Sequence, residues 1–373
     1  MTPGHIASAA VDCVAVTAKT TWRFVRLRTT TGLEGTGEFT FQPAPTDAAE
    51  QMRAAANLLV GAAANRAALA PLSAMAEEGF ARATVFSALE QALADIEAQA
   101  AGLPLCRYLG ARSARRVPLY ANINRRTVMR TPEGFAQSAR LAAGVGFTAM
   151  KLAPFDGLSP KLCGTEEGRE RTAEGLARIK AVADAVPEAA VMVDCHWRFS
   201  EDAAHAVLPA LEDARVSWFE CPLAETVDNV PALTRLRHAA NGRGMRLAGL
   251  ETMAGWASFE PFVVGGAYDV VMPDIKHCGG HAALIDIAER SAEHGVAVSA
   301  HNPSGPVAHV HSLHVTACLP GDEPLELQFD ETEKFWELTT PPPPECNGRS
   351  ALPTGSGVGV ALDLDGVAGA GPG

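Results

Sequence analysis

The chain has 373 residues, 47% of them hydrophobic and 20% charged. This length and composition allow a substantial core, in one large domain or two ordinary ones, and argue against global disorder. Its formal net charge of -12 argues against a nucleic-acid partner, because neutralising phosphates requires a basic surface, although a local cluster of cations can still bind an anionic substrate. No run approaches the roughly 20 apolar residues of a membrane span, and no basic segment followed by an apolar core opens the chain, so we expect a soluble, cytoplasmic protein.

The eight cysteines are too widely spaced for a zinc knuckle. The closest pair, Cys195 and Cys221, is 26 residues apart (221 minus 195), and the sequence has no C-x-x-C pair. Most cysteines stand in or beside apolar runs, which is typical of reduced, buried cysteines.

The first hundred residues predict a small α+β unit. Residues 11–40 alternate as strands do and run into GLEGTGEFT, which indicates a glycine-rich loop. Residues 47–101 are alanine-rich with helical spacing, and one apolar face runs along residues 85–96 before Gly102 ends the helix. We therefore assign residues 1–115 to an α+β domain.

From residue 117 onwards, short apolar runs alternate with amphipathic helical segments. The eight runs are residues 117–123, 147–154, 190–197, 216–223, 245–252, 268–275, 296–303 and 324–330. Strands that alternate with helices imply parallel pairing, and eight units favour a closed (β/α) barrel. The alternative, a doubly wound sheet, would need a glycine-rich phosphate turn after an early strand, and the sequence has none. We place the barrel at residues 116–335 and a proline-rich linker with a C-terminal segment at residues 336–373.

Polar residues stand at or just after the carboxyl ends of these runs. They are Lys151, Asp194, His196, Glu220, Glu251, Asp274 and His301. Loops are often polar, but that does not explain one carboxylate after each of three consecutive strands, at Asp194, Glu220 and Glu251. In a parallel barrel these ends meet at one mouth, where three carboxylates repel one another unless a cation lies between them. Oxygen ligands suit a hard ion, and we expect Mg²⁺ at these three residues.

A series of motifs in chain order resembles the enolase superfamily, specifically its mandelate-racemase-like subgroup, over nearly the whole chain. FTAMK is similar to the second barrel strand of that family, VDCHW to the third, FECP to the fourth, GLET to the fifth, and PDIKHCGG and VSAHNPSGP to the sixth and seventh. The resemblance implies a modified (β/α)₇β TIM-type barrel with an α+β capping domain that the C-terminal tail completes. It also implies Mg²⁺ held by Asp194, Glu220 and Glu251, an enolate made by removing the proton α to a carboxylate, and a homo-oligomer, either a dimer or an octamer.

The second strand departs from the commonest pattern of that family. Members often carry Lys-x-Lys there, with the second lysine as a general base, whereas this chain has Lys151-Leu152-Ala153. Lys151 matches the lysine that contacts the substrate carboxylate, and the usual second base is missing.

The sixth, seventh and eighth strands supply the remaining expected site residues. Asp274 and His301 match the subgroup's dyad, in which the carboxylate orients the imidazole and raises its basicity. Glu326 matches a position where the family often places a hydrogen-bonding group. Lys276, on the same strand face as Asp274, could enter the site or form a structural ion pair.

His196 favours dehydration over racemisation. In an extended strand, residues 194 and 196 point to the same side, so His196 would face the substrate if Asp194 faces the metal. Asp-x-His at this place is similar to galactonate and mannonate dehydratases, whose histidine protonates the departing hydroxyl. We therefore expect a Mg²⁺-dependent hydro-lyase that removes the α proton of a β-hydroxy carboxylate, such as a sugar acid, with His301 and eliminates water with the help of His196 to give a 2-keto acid.

Three alternatives stay open. The first is a dehydratase of a hydroxyproline-type cyclic amino acid, because a short loop at GLEGTGEF could close over a compact substrate. The second is a racemase or epimerase with Lys151 or His196 as the second base. The third is a non-catalytic barrel that acts as a binding protein, which the intact carboxylate set argues against.

Overall fold

The protein begins with an antiparallel sheet packed against one long helix. In the computed structural model, which describes residues 2–41, 44–111, 116–344 and 347–364, the strands β1 (Ile6–Ala15), β2 (Thr21–Thr29) and β3 (Glu34–Glu38) form this sheet in chain order. The helices are α1 (Ala48–Asn57), α2 (Phe80–Ala101) and α3 (Leu105–Tyr108), with a 3-10 segment at Arg66–Ala76. Gly102 adopts the left-handed conformation that ends α2. The predicted α+β unit is confirmed.

The run GLEGTGEFT, predicted as a loop, contains strand β3 instead. Its two strand glycines lie directly against α2. A Cβ atom on Gly35 would come within 2.0 Å of the carbonyl oxygen of Ala92, and one on Gly37 within 1.9 Å of that of Ala88. The glycines therefore permit a close approach of strand and helix. The loop prediction is wrong for this reason, and closure of this segment over a compact substrate loses its basis.

Parallel strands alternating with helices follow. The strands are β4 (Val117–Asn122), β5 (Ala149–Leu152), β6 (Ala190–Asp194), β7 (Val216–Glu220), β8 (Arg246–Gly249), β9 (Val270–Val271), β10 (Ala297–Val298) and β11 (Leu325–Gln328). The helices between them are α4 (Pro132–Gly144), α5 (Glu166–Ala185), α6 (Glu201–Asp213), α7 (Val230–Asn241, after a 3-10 turn at Val227–Asn229), α8 (Gly255–Val264), α9 (His281–Glu293) and α10 (Pro306–Thr316). Each strand lies within one of the eight predicted runs.

The strands curve round so that the eighth pairs with the first. Their order is β10-β9-β8-β7-β6-β5-β4-β11, and side chains connect the two end strands. Ser299 Oγ donates a hydrogen bond to the carbonyl of Pro324 at 2.6 Å, and Asn302 Nδ2 donates one to the carbonyl of Glu326 at 2.9 Å. Seven βα units followed by an eighth strand confirm the predicted α/β architecture. No helix of the described residues has the length and apolar character needed to cross a bilayer.

The chain after β11 contacts both parts of the molecule. It holds α11 (Lys334–Glu337), β12 (Thr339–Thr340), β13 (Arg349–Ser350) and β14 (Ala361–Leu362). Strand β13 pairs with β4 and β12 with β14, while the backbone of Gly357 bonds to Leu103 and Leu105 just past α2. The domain limits at 115/116 and 335/336 stay predictions, and the parts of these segments at 112–115, 345–346 and 365–373 lie outside the described residues. Seven cysteines are unpaired, and Cys346 lies outside the described residues.

We predict that Gly37→Ala lowers the free energy of unfolding by about 1–3 kcal/mol, the usual cost of forcing an extra methyl group into a packed core, because β3 and α2 must separate. Urea unfolding followed by circular dichroism measures the change. Gly144→Ala in α4 is the control, since a Cβ there meets no described heavy atom within 4 Å, and it should leave the midpoint unchanged or raise it slightly. Equal midpoints for the two variants would contradict the packing.

Candidate active site

The carboxyl ends of the barrel strands open into one pocket of about 330 Å³. Most of the residues singled out from the sequence line it: Lys151, Asp194, His196, Glu251, Asp274, Lys276, His301 and Glu326. Glu220 is fully buried beside them, and its carboxylate lies 2.6 Å from Lys151 Nζ. The structure therefore brings together every predicted site residue.

Three buried carboxylates form the densest charge in this pocket. Asp194 ends β6, Glu220 ends β7, and Glu251 follows β8, with one carboxylate oxygen of each within 4.8 Å of the other two. Burial, together with Asp194, raises the pKa of Glu220 to about 7 despite the cation on Lys151. Burial and the charges on Asp194 and Glu220 also raise the pKa of Glu251 well above its ordinary value.

This cluster fits a divalent metal ion. Glu251 Oε2 is buried and makes no hydrogen bond to the residues that the structure describes, so one ligand oxygen has a free lone pair inside the cluster. The donor set is entirely carboxylate oxygen, which is the chemistry of hard divalent cations. A bound cation would offset the repulsion that the carboxylates otherwise feel in a site of low dielectric.

The backbone beside each of these carboxylates is held in a conformation that non-glycine residues rarely adopt. The φ angle is 45° at His196, 44° at Cys221 and 72° at Leu250, which lie two after Asp194, one after Glu220 and one before Glu251. Each such residue costs on the order of 1–3 kcal/mol, and such residues cluster at functional sites. The surrounding packing therefore holds the chain turned at the point where each carboxylate joins the cluster.

His196 reaches the pocket by a route other than the one predicted. Strand β6 ends at Asp194, so the alternation of an extended strand does not extend to residue 196, and that part of the prediction is wrong. The left-handed turn folds the residue back instead: its backbone N–H donates to Asp194 Oδ1 at 2.9 Å, and its Nε2 lies 2.6 Å from Asp194 Oδ2. Asp194 raises the pKa of His196, which favours the imidazolium form.

Lys151 is a buried cation between two carboxylates. Its Nζ lies 2.6 Å from Glu220 Oε1 and 3.0 Å from Glu326 Oε1. Burial alone would lower the pKa of Lys151, but these two carboxylates raise it well above its ordinary value, so the side chain stays charged. Glu326 is anchored in turn by Asn122 Nδ2 at 2.6 Å and by the backbone N–H of Asn302 at 3.0 Å.

The predicted pair of Asp274 and His301 is in hydrogen-bond contact. His301 Nδ1 lies 2.8 Å from Asp274 Oδ2, and His301 Nε2 lies 3.4 Å from Glu251 Oε2. Although burial acts in the opposite direction, the Lys276 ammonium group and the hydrogen bond from His301 hold the pKa of Asp274 well below its usual range. The carboxylate is therefore an acceptor, His301 Nδ1 carries a proton, and Nε2 faces Glu251 of the carboxylate cluster.

Lys276 forms a buried ion pair, one of the two roles left open by the sequence. Its Nζ lies 2.7 Å and 3.0 Å from the two oxygens of Asp274, and it also donates to Ser304 Oγ. These contacts use the donors of the ammonium group. Lys276 lines the pocket, and its ammonium group contacts the same oxygen of Asp274, Oδ2, as His301 Nδ1.

Sequence reasoning missed the residues that complete the pocket wall. The N-terminal domain contributes Thr20, Thr40, Phe41 and Phe80, and the barrel adds Asn122, Asn124, Arg125, Trp197, His277 and Gln328. The domain residues carry no local signal, because their role depends on how the domain packs on the barrel. His277 could have been noted from the sequence, since it follows Asp274 by three residues in PDIKHCGG.

Two family models match the chain. The model described as the mandelate racemase / muconate lactonizing enzyme N-terminal domain matches residues 4–110, and the enolase C-terminal domain-like model matches residues 134–366. Among solved structures, an enolase superfamily member from Salmonella Typhimurium superposes with a TM-score of 0.85 at 21% identity, covering 97% of each chain. A mandelate racemase/muconate lactonizing enzyme from Sulfitobacter has a TM-score of 0.83 at 23% identity, covering 96% of this chain and 93% of the other.

Several curated relatives are sugar-acid dehydratases. A D-gluconate dehydratase from Thermoproteus tenax is 31% identical over 76% of this chain, but the match spans only 55% of that relative, less than two thirds of its length. A D-xylonate dehydratase from Haloferax volcanii is 28% identical over 93% of this chain and 84% of its own. A D-galactonate dehydratase from Verminephrobacter eiseniae is 28% identical over 79% of this chain and 75% of its own.

We predict that Mg²⁺ binds the wild type and that Glu251→Gln removes most of this binding, because an amide lacks the charge that offsets the cation. At about 100 times its Kd, the ion should stabilise the fold by about 2.7 kcal/mol. Calorimetric titration and thermal unfolding with and without Mg²⁺ measure both quantities.

Glu225→Gln is the matched control for this experiment. Glu225 is a half-buried glutamate outside the cluster that accepts hydrogen bonds from the Leu250 N–H at 2.6 Å and the Tyr268 hydroxyl at 2.8 Å. Its variant should lose stability but keep Mg²⁺ affinity. Unchanged affinity in Glu251→Gln would show that the ion binds elsewhere.

Proposed function

The chain belongs to the mandelate racemase/muconate lactonizing enzyme family of the enolase superfamily, and from this premise we propose that it is a metal-dependent dehydratase of a sugar acid. The observation that carries the proposal is one pocket with a carboxylate cluster, an aspartate-held histidine and a second, separate histidine. Elimination of water needs a base for the α proton and an acid for the leaving hydroxyl. The curated relatives that act on gluconate, xylonate and galactonate support the substrate class.

Asp194, Glu220 and Glu251 are the residues that we propose to hold the metal ion, and Mg²⁺ is the ion that an all-oxygen ligand set favours. When bound there, a divalent cation stabilises negative charge as it develops on the substrate carboxylate. Lys151 contributes a permanent positive charge beside the cluster, and we assign it the contact with the substrate carboxylate. Glu326 keeps that ammonium group in place through its 3.0 Å ion pair.

His301 is the proposed base. Because Asp274 accepts the Nδ1–H at 2.8 Å, the imidazole is fixed in the tautomer whose Nε2 lone pair is free to take a proton. The ring is 14% exposed, so bulk water has little access to compete for that lone pair. In the reaction Nε2 takes the α proton, and the electron pair of the broken C–H bond moves towards the substrate carboxylate.

His196 is the proposed acid. It donates a proton to the β-hydroxyl as the C–O bond breaks, so that the group leaves as water and a double bond forms between the α and β carbons. The resulting enol, whose hydroxyl is the substrate's α-hydroxyl, then takes a proton at the β carbon, loses its O–H proton to solvent and gives a 2-keto-3-deoxy acid. The left-handed turn after β6 fixes this imidazole at the pocket wall, where a leaving hydroxyl can meet it.

A racemase or epimerase is less well supported. Such an enzyme needs a base on each face of the α carbon, and Ala153 occupies the place of the usual second lysine. Lys151 is a poor base, because two carboxylates stabilise its protonated form. The hydroxyproline variant has lost the loop on which it depended, and a purely binding role is disfavoured by the assembled acid, base and cation groups. We also propose that the chain forms a homo-oligomer, as the family resemblance implies.

We predict that two histidine variants separate the two proton transfers. His301→Asn should lose about 10²–10⁴-fold in kcat, the usual contribution of general acid–base catalysis, and should also lose exchange of the α proton with solvent deuterium. His196→Asn should lose kcat by a similar factor but keep that exchange, because the base is intact. A panel of aldonic acids assayed for 2-keto-3-deoxy acid, with NMR of the recovered substrate, measures both quantities.

The control is His294→Asn, which replaces an exposed histidine just past α9 and should change neither quantity. Full activity in His301→Asn would contradict the assignment of the base. Epimerised substrate without keto acid from the wild type would replace the dehydratase proposal with the epimerase.

A further inference from the structure

His277 is a buried imidazole in the pocket wall that the proposed mechanism does not use. It is 4% exposed, follows Lys276 in the turn after β9, and lines the pocket together with Phe41 and Phe80 of the N-terminal domain. Its ring centroid lies 4.3 Å from that of Phe80 and 6.3 Å from that of Phe41. The imidazole therefore places a polar group within an otherwise aromatic part of the wall.

The hydrogen bonds of Thr84 define which nitrogen of His277 carries the proton. Thr84 Oγ1 lies 2.8 Å from the carbonyl oxygen of Phe80 and 2.9 Å from His277 Nδ1. A hydroxyl has one proton, and donation to the carbonyl satisfies both contacts only if Nδ1–H donates to the hydroxyl. Burial lowers the pKa of His277 to about 3, so the ring is neutral and Nε2 is an acceptor.

His277 Nε2 makes no hydrogen bond to the described part of the chain. Its nearest charged contact is Asp274 Oδ2 at 3.6 Å, which is beyond hydrogen-bond distance and is itself an acceptor. Asp274 already receives donors from His301 Nδ1, from Lys276 Nζ and from the backbone N–H of Lys276. This acceptor is therefore left for a group in the pocket that His277 lines, and a hydrogen-bond donor on a ligand would pair with it.

A second acceptor without a donor stands in another part of the wall. Gln328, at the end of β11, is 6% exposed, and its Nε2 donates to the backbone carbonyl of Asn122 at 3.1 Å. Its Oε1 is buried and has no hydrogen-bond partner among the described residues. Gln328 lines the same pocket as His277, so polar side chains stand in two parts of its wall, which suits a ligand that carries several hydroxyl groups.

We propose that His277 is a specificity-determining residue whose Nε2 accepts a hydrogen bond from one hydroxyl group of the substrate, a hydroxyl other than the one eliminated. This inference rests on the proposed function and deepens it. The Phe80 and Thr84 contacts hold the ring in a single orientation, so the acceptor is pre-positioned by the N-terminal domain. A substrate with a carbonyl or carboxylate oxygen at the same place is disfavoured, because two acceptors then face each other.

The test combines His277 variants with deoxy substrates. The wild type is assayed with the best aldonic acid from the panel and with analogues that lack one hydroxyl group beyond the β carbon. One analogue should lose about 10–100-fold in kcat/KM, the effect expected when one hydrogen bond to the substrate is missing and its partner is left unpaired. His277→Phe keeps an aromatic ring but removes the acceptor. Its kcat/KM on the parent acid should fall by a similar factor, whereas its kcat/KM on that analogue should equal the wild-type value.

Two further variants separate recognition from packing. His277→Gln carries an acceptor oxygen near the position of Nε2 and should recover part of the selectivity, with a stability close to that of His277→Phe. Thr84→Val removes the group that holds the proton on Nδ1, so it should weaken selectivity for the same hydroxyl although it leaves His277 in place. An equal loss on every analogue, or no loss on the parent acid, in His277→Phe would overturn the proposal.

The proposed function and this inference fail separately. If the wild type produces no keto acid from any aldonic acid, the dehydratase proposal fails. The Kd values of the parent acid and its deoxy analogues for the wild type and for His277→Phe are then measured by calorimetry in the presence of Mg²⁺. If removing one hydroxyl group weakens binding to the wild type but not to His277→Phe, that result would support the inference on its own. Additive effects, or no binding of these acids, would overturn it.

Discussion

The mutual repulsion of Asp194, Glu220 and Glu251 is the constraint on which the rest of the site depends. Each is less than 7% exposed, so solvent screens their charges poorly. Lys151 offsets part of that charge through Glu220, and a divalent cation is the simplest way to offset more. The barrel makes this arrangement possible because it ends three neighbouring strands at one level, with Asp194 and Glu220 directly paired in register. The positive φ angles beside these carboxylates cost conformational energy, and such strained residues cluster at functional sites.

A second group of charged residues, centred on Asp274, lies in the same pocket. Asp274 lies between His301 and Lys276, and this ion pair lets a buried carboxylate stay charged and direct the imidazole towards the cluster. Removing one partner of such a pair leaves the other charge buried without compensation, which costs far more than the pair contributes. The N-terminal domain meets the barrel at the same place, where His277 bonds to Thr84. The Asp274–His301 pair and the pocket wall are therefore parts of one packed structure.

The sequence could predict those features that repeat. Eight apolar runs, each followed by polar residues, indicated the strands, and the regular spacing of Asp194, Glu220 and Glu251 indicated the cluster. Features that depend on tertiary packing could not be predicted. A glycine-rich run is compatible with a flexible loop or with a strand that packs closely against a helix. Only the position of α2 against Gly35 and Gly37 decides between the two. The end of β6 at Asp194 is set by its neighbours, so strand alternation failed at His196.

The measurement that tests the account most directly is an NMR spectrum of the wild-type reaction in D₂O with Mg²⁺ and the active aldonic acid. The proposed dehydratase should give a 2-keto-3-deoxy acid with one solvent deuterium at C3, because the enol formed after loss of the hydroxyl takes its proton from water. Deuterium at C2 of the recovered acid, with inversion at that carbon and no keto acid, would contradict the assignment of His196 and the dehydratase function together.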